Sequence, residues 1–202
     1  GILAAAGCAS TAAMPDAPLN SWSGLTDCFR RDVAVTAKTA EAAASACSGS
    51  SAGDDPARSG IDRANAFFHA ASAYNLLADA EAASPLCPTK GECRQIALNL
   101  IDKSIASQQD RQIRPSADAR TALINSRFVL RRALERNRAL RGLAGTNYVA
   151  ASCGTAERCL TEAASALEGA DFTSDLGSKD KAAAAFACTL LDARWRTHYA
   201  LG

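Results

Sequence analysis

Alanine sets the limits on what this chain can fold into: 47 of its 202 residues are alanine and only four are valine. Alanine loses no side-chain entropy in a helix, whereas valine is disfavoured there and favoured in strands. The balance predicts an all-helical protein and argues against a sandwich, a barrel or a doubly wound sheet. The chain is long enough to bury a real core. Alanine fills little volume, so that core must be thin, which suits closely packed helix pairs better than one thick globule.

Charge and hydropathy narrow the class further. A formal net charge of +1 excludes a strongly basic nucleic-acid binder and an acidic disordered tail. No apolar run reaches the 18 or so residues of a membrane-spanning helix. The longest candidate, Ala182 to Leu191, is mostly alanine and reads as a buried helix.

Start and stop signals place six helices. The first is expected from about Leu25 to Ala46 and is followed by a Gly/Ser-rich loop from Ser48 to Asp54. Asp55-Pro56 is a helix start, since Asp caps free N–H groups and Pro suits the first helical position. That helix runs to about Ala83, ahead of Pro85. Thr89 and Glu92 have capping-box spacing. In the helix after them, Ile96, Ala97, Leu100, Ile101, Ser104 and Ile105 share one face, with Arg94, Asn99, Asp102 and Lys103 expected mostly opposite. A long helix follows from Pro115-Ser116 to near Gly142, then one from about Ala156 to Leu167, then one from Ser178 to about Tyr199.

Among the eight cysteines, Cys87 and Cys93 are separated by five residues, as are Cys153 and Cys159, and the pairs are offset by the same 66 positions. Residues six apart in a helix lie about 9 Å apart along its axis, beyond the roughly 7 Å limit for a disulfide. Each pair can bond only across a loop, which Pro88, Gly91 and Gly154 provide. Local disulfides are the leading reading. A four-thiolate zinc site, with gaps longer than usual and no nearby histidine, and buried free thiols are the alternatives. On a continuous first helix Cys28 and Cys47 would lie about 28 Å apart and not pair. Cys188 of the last helix is then a candidate partner for one of them, and the pairing of these three stays open.

The 66-residue period continues downstream: Ala97, Ile101 and Ser104 follow Cys93 as Ala163, Leu167 and Ala170 follow Cys159. Such a period suggests stacked helical hairpins. In the segment Ala66 to Tyr74, Phe67, Ala71 and Tyr74 fall where the tetratricopeptide repeat (TPR) family has its large aromatic, small contact residue and tyrosine. Ala97, Ile101 and Ser104 match that family's second helix, and Ala122 to Leu130 is a weaker second copy, with Arg127 where a small residue belongs. The chain thus resembles the TPR family over about residues 57 to 170, with longer inter-helix segments and no closing proline. The resemblance implies antiparallel hairpins stacked as a short solenoid or bundle, and non-catalytic binding of partner proteins.

The start of the chain carries a second resemblance. Ile2 and Leu3, then small residues, then Gly7-Cys8, resemble the end of a bacterial lipoprotein signal peptide, with Ala5 where that family usually has Leu. This implies a lipid on Cys8, and Ala9 resembles the outer-membrane sorting position. Residues 1–20 would be signal remnant and tether, and residues 21–202 a single helical domain. An ordinary alanine-rich tail is the plainer reading.

Arg120, Arg127, Arg131, Arg138 and Arg141 fall within about 80° on a helical wheel. Residues 86–141 carry 12 basic and 5 acidic side chains. The strip is either a surface for an acidic partner or a set of arginines paired with acidic neighbouring helices. His69 and His198 read as packing residues. Trp22, and Trp195 with His198 and Tyr199, form an aromatic contact surface or close the ends of the stack. There is no Ser nucleophile elbow, His-Glu-x-x-His pair or Gly-rich phosphate loop. The expectation is a non-catalytic envelope lipoprotein without cofactor or metal, a scaffold or accessory subunit for other envelope proteins, tethered by its lipid and binding no nucleic acid. The alternative is a soluble periplasmic ligand-binding bundle.

Overall fold

A computed structural model describes residues 22–31, 33–49, 51–80, 84–109, 118–168, 170 and 172–202. Cys8 and the proposed tether lie outside them. Among the described residues the chain is all-helical, with seven α-helices in order: α1 (Ala40–Cys47), α2 (Gly60–Asp79), α3 (Lys90–Ser107), α4 (Ala119–Leu143), α5 (Val149–Ser152), α6 (Ala156–Glu168) and α7 (Lys181–Leu201). Short 3-10 turns occupy Leu25–Phe29 and Thr173–Gly177.

The expected continuous helix from Leu25 to Ala46 does not form. A 3-10 turn at Leu25–Phe29 gives way to irregular backbone, and only α1 is helical. Two of the four valines, Val33 and Val35, sit in this gap beside Thr36, and β-branched side chains resist helix. Asp27 also competes for local backbone, accepting bonds from both the N–H and the hydroxyl of Ser23 at 2.7 Å. The fold-back brings Cys28 and Cys47 to a Cα separation of 5.4 Å, and they are disulfide-bonded. The expectation that they could not pair is thereby overturned.

Helix α2 starts four residues later than the Asp55-Pro56 signal suggested. Asp55 instead accepts from the Ala57 N–H in a turn, while Ser59 accepts the Asp62 N–H and donates its hydroxyl to the Asp62 carboxylate. At α3 the Thr89 side chain accepts from the Glu92 N–H at 3.1 Å, the cap its spacing predicts. Asp118 caps α4, and Asp180, rather than Ser178, caps α7; Pro115-Ser116 lies outside the described residues.

Consecutive helices pack as antiparallel hairpins, α2 on α3 and α4 on α6, and α7 completes the row against α6. Helices α2, α4 and α7 also touch in sequence, so they form one layer of the stack. The thin core follows from composition. Helix α2 is buried nearly all round, with Ala64, Ala66, Ala70, Ala71 and Ala73 beside Phe67, Phe68 and Tyr74. Ala97 and Ala163, the small residues of the repeat, are fully buried in α3 and α6. A second, smaller core joins Leu167, Phe172, Ala187, Leu190 and Ala193.

Cys87 is bonded to Cys93 and Cys153 to Cys159, with Cα separations of 5.1 and 5.2 Å. Each bridge staples the corner that leads into α3 or α6. Cys188 on α7 is disulfide-bonded as well. No helix among the described residues is long and apolar enough to cross a membrane.

Candidate cationic groove

The structure divides the arginine strip by position along α4. Near the start of the helix, Arg127 bonds Asp180 of α7 at 2.8 Å. Arg131 reaches the backbone carbonyl of Arg31, and burial, then repulsion from Arg127, lower its pKa. These two tie neighbouring elements together. The side chain of Arg120 lies outside what the structure describes. Only Arg138 and Arg141, at the far end of α4, reach an open groove of about 480 Å³.

Three other helices build that groove. Asp79, the last residue of α2, accepts both from Arg138, with Nε at 2.9 Å, and from Arg94 of α3. Arg94 is only 4% exposed. The expectation that it lies on the outer face of α3 is therefore corrected: α2 and α4 close over it. Its Nη1 donates to Asn75 Oδ1 at 2.7 Å, and Asn75 in turn donates to the Glu135 carboxylate at 2.7 Å. Gly142 makes room for this arginine, because a Cβ there would lie 2.4 Å from Arg94 Nε. Lys90, in the first turn of α3, and Arg196, on α7, complete the cationic lining.

Electrostatics follow from this crowding. Burial pushes the Asp79 carboxyl up, but hydrogen bonds from Arg138 and the charges of Arg94 and Arg138 outweigh it and hold the group below the usual carboxylate range. Burial lowers Arg94, partly offset by Asp79. Arg141 is lowered by burial and then by repulsion from Arg196. Its Nε donates to Asn137 at 3.0 Å. Arg196 pairs with Asp192 at 2.8 Å.

The groove was not visible on any single helical wheel. Lys90, Arg94 and Arg196 come from two helices other than α4, and only tertiary packing assembles them. The remaining sites are plain. His69 is buried, with Nε2–H donating to the Arg30 carbonyl at 2.7 Å and Trp22 against its ring. His198 is exposed. Trp195 and Tyr199 are 62% and 76% exposed and stack with centroids 5.4 Å apart. The sulfurs of Cys87, Cys93, Cys153 and Cys159 are oxidised in two separate bridges, so they offer no thiolate set. Among the described residues no cluster of three or more His, Cys, Asp or Glu is placed to hold a metal. Family models, curated proteins and solved structures give no match to the chain.

Proposed function

We propose that the chain is a non-catalytic scaffold of an oxidising, extracytoplasmic compartment that docks an acidic partner protein on one end of its helical stack. One observation carries the reading: the exposed, stacked Trp195 and Tyr199 share the C-terminal part of α7 with Arg196, which lines the cationic groove. Trp, Tyr and Arg dominate the energetics of protein interfaces, because they combine large contact area with a polar handle. A partner carrying carboxylates around an apolar patch complements this surface in charge and chemistry.

The layered hairpins support a TPR-like mode of partner binding, and the disulfides support an oxidising compartment. The Gly7-Cys8 resemblance supports an envelope location.

Cross-linking in cells, followed by affinity capture, tests the docking surface. An acidic protein is expected with the wild-type chain and is lost with Trp195→Ala/Tyr199→Ala and with Arg141→Gln/Arg196→Gln. Capture that is equal in all three, or a monomer without partner, overturns the proposal.

A further inference from the structure

We infer that the cationic groove is a binding site for one compact, doubly charged oxyanion of the phosphate type. The inference rests on reading this end of the stack as the docking surface, and it names the chemical group received there.

Charge is the first argument. Lys90, Arg94, Arg138, Arg141 and Arg196 line the groove with Asp79. Glu135 and Asp192 are the other carboxylates paired to these cations, by Arg138 and Arg196. Five cations face three carboxylates, an excess of two positive charges. A single carboxylate would leave half of that excess, whereas a phosphate-type dianion matches it. Arg141 is half-buried with Arg138 and Arg196 as like-charged neighbours, an arrangement that a bound anion relieves.

Donor geometry is the second argument. Arg141 engages Asn137, and Arg196 engages Asp192, through Nε alone. Their Nη edges have no partner among the described residues, and neither does the exposed Lys90 ammonium. Guanidinium edges of this kind grip phosphate oxygens in pairs, and a lysine adds a point charge.

The third argument is Arg94. It is buried and fixed by Asn75 and Asp79, yet its Nε has no hydrogen-bond partner. A buried unpaired donor is costly and calls for an explanation. Here the bare Cα of Gly142 lies beside that Nε, and both residues line the groove. The guanidinium is thus a fixed positive base under the other cations of the groove.

Titration calorimetry and thermal unfolding with inorganic phosphate, at about pH 8 where the dianion predominates, test the site at constant ionic strength. A saturable response with one phosphate per chain is expected. Lys90→Gln and Arg196→Gln, both at exposed positions that leave the fold intact, are each expected to weaken it about tenfold. Arg158→Gln on α6, outside the groove, leaves it unchanged. Glycerol 3-phosphate and phosphatidylcholine vesicles containing phosphatidic acid separate a soluble ester from a lipid headgroup, and tighter binding of either supports the site. No response beyond that of sodium chloride, or a response unaltered by the two groove variants, overturns the inference. Phosphate binding needs no partner, so partner capture without phosphate binding sinks this inference alone, and the converse sinks the docking proposal alone.

Discussion

Arg132 and Arg194 perform the same task in successive repeats, sixty-two positions apart. Arg132 of α4 donates to the Ser104 and Gln108 carbonyls at the end of α3, at 2.9 and 2.8 Å, with its guanidinium over Phe128. Arg194 of α7 donates to the Leu167 carbonyl at the end of α6, at 2.7 Å, over Phe172. A helix end leaves carbonyls without partners and carries partial negative charge, so a cation there satisfies both. Amides repeat in the same way. Asn75 donates to Glu135 and Asn137 to Thr197, each across sixty residues to the next helix of the layer. Polar pins, rather than bulky apolar contacts, set the register of a stack whose alanine surfaces alone would slide.

Arg132→Met tests the pin. Arg132 is fully buried, so its loss strips the Gln108 carbonyl of this donor and leaves the Ser104 carbonyl with the Gln108 N–H. A destabilisation of about 3 kcal/mol is expected in urea unfolding, against about 1 kcal/mol for Arg194→Met, which is partly exposed. Equal midpoints for Arg132→Met and the wild type would show that the cap contributes nothing.

Gly142→Ala probes the close approach beneath the groove. The added Cβ would lie 2.4 Å from the Nε and 2.8 Å from the Cδ of Arg94, mid-chain atoms of an anchored side chain. Arg94 must move off Asn75 and Asp79, at an expected cost of about 2 kcal/mol. A crystal structure of the variant with the Arg94 guanidinium unmoved would contradict this.

Asp79 links the groove to acid stability. Its folded pKa is depressed, so its contribution is fully present above the unfolded value near pH 4 and is lost as the pH falls through the folded value. Asp79→Asn is expected to lose about 2 kcal/mol at neutral pH, discounted for its partial exposure, because it leaves Arg94 buried without its counter-charge. Below pH 4 the variant and wild type converge. Stability measured between pH 2 and 7 checks this, and parallel curves would disprove the assignment.

What was legible in the sequence was local. Alanine content gave the helices, Thr89 and Glu92 gave a start, and the two six-residue cysteine spacings implied corners because a helix cannot close them. What was not legible was tertiary. Arg94 reads as a surface residue on its own helix and is buried only because α2 and α4 supply Asn75, Asp79 and Gly142 around it. The groove draws on four helices whose charges share no periodicity. Around Cys28, seven alanines from Ala34 to Ala46 outweighed Val33, Val35 and Thr36 in a propensity reading, and the β-branched residues decided the backbone.

The disulfides make the final prediction. In the chain-entropy account the stabilisation rises with the loop closed. Cys28–Cys47 spans 19 residues and each corner bridge spans 6. Replacing Cys28 and Cys47 together by Ala is therefore expected to cost about 3 kcal/mol, and replacing Cys87 and Cys93 about 2 kcal/mol. The first loss is also expected to loosen the turn that carries the Phe29 and Arg30 carbonyls, to which Asn65 and His69 donate. Hydrogen exchange should then rise across residues 25–31 and in the first half of α2, while α6 and α7 keep their protection. Peptide mapping of non-reduced protein from an oxidising compartment should recover the three bridges. Free thiols at Cys28 and Cys47 would refute the fold-back.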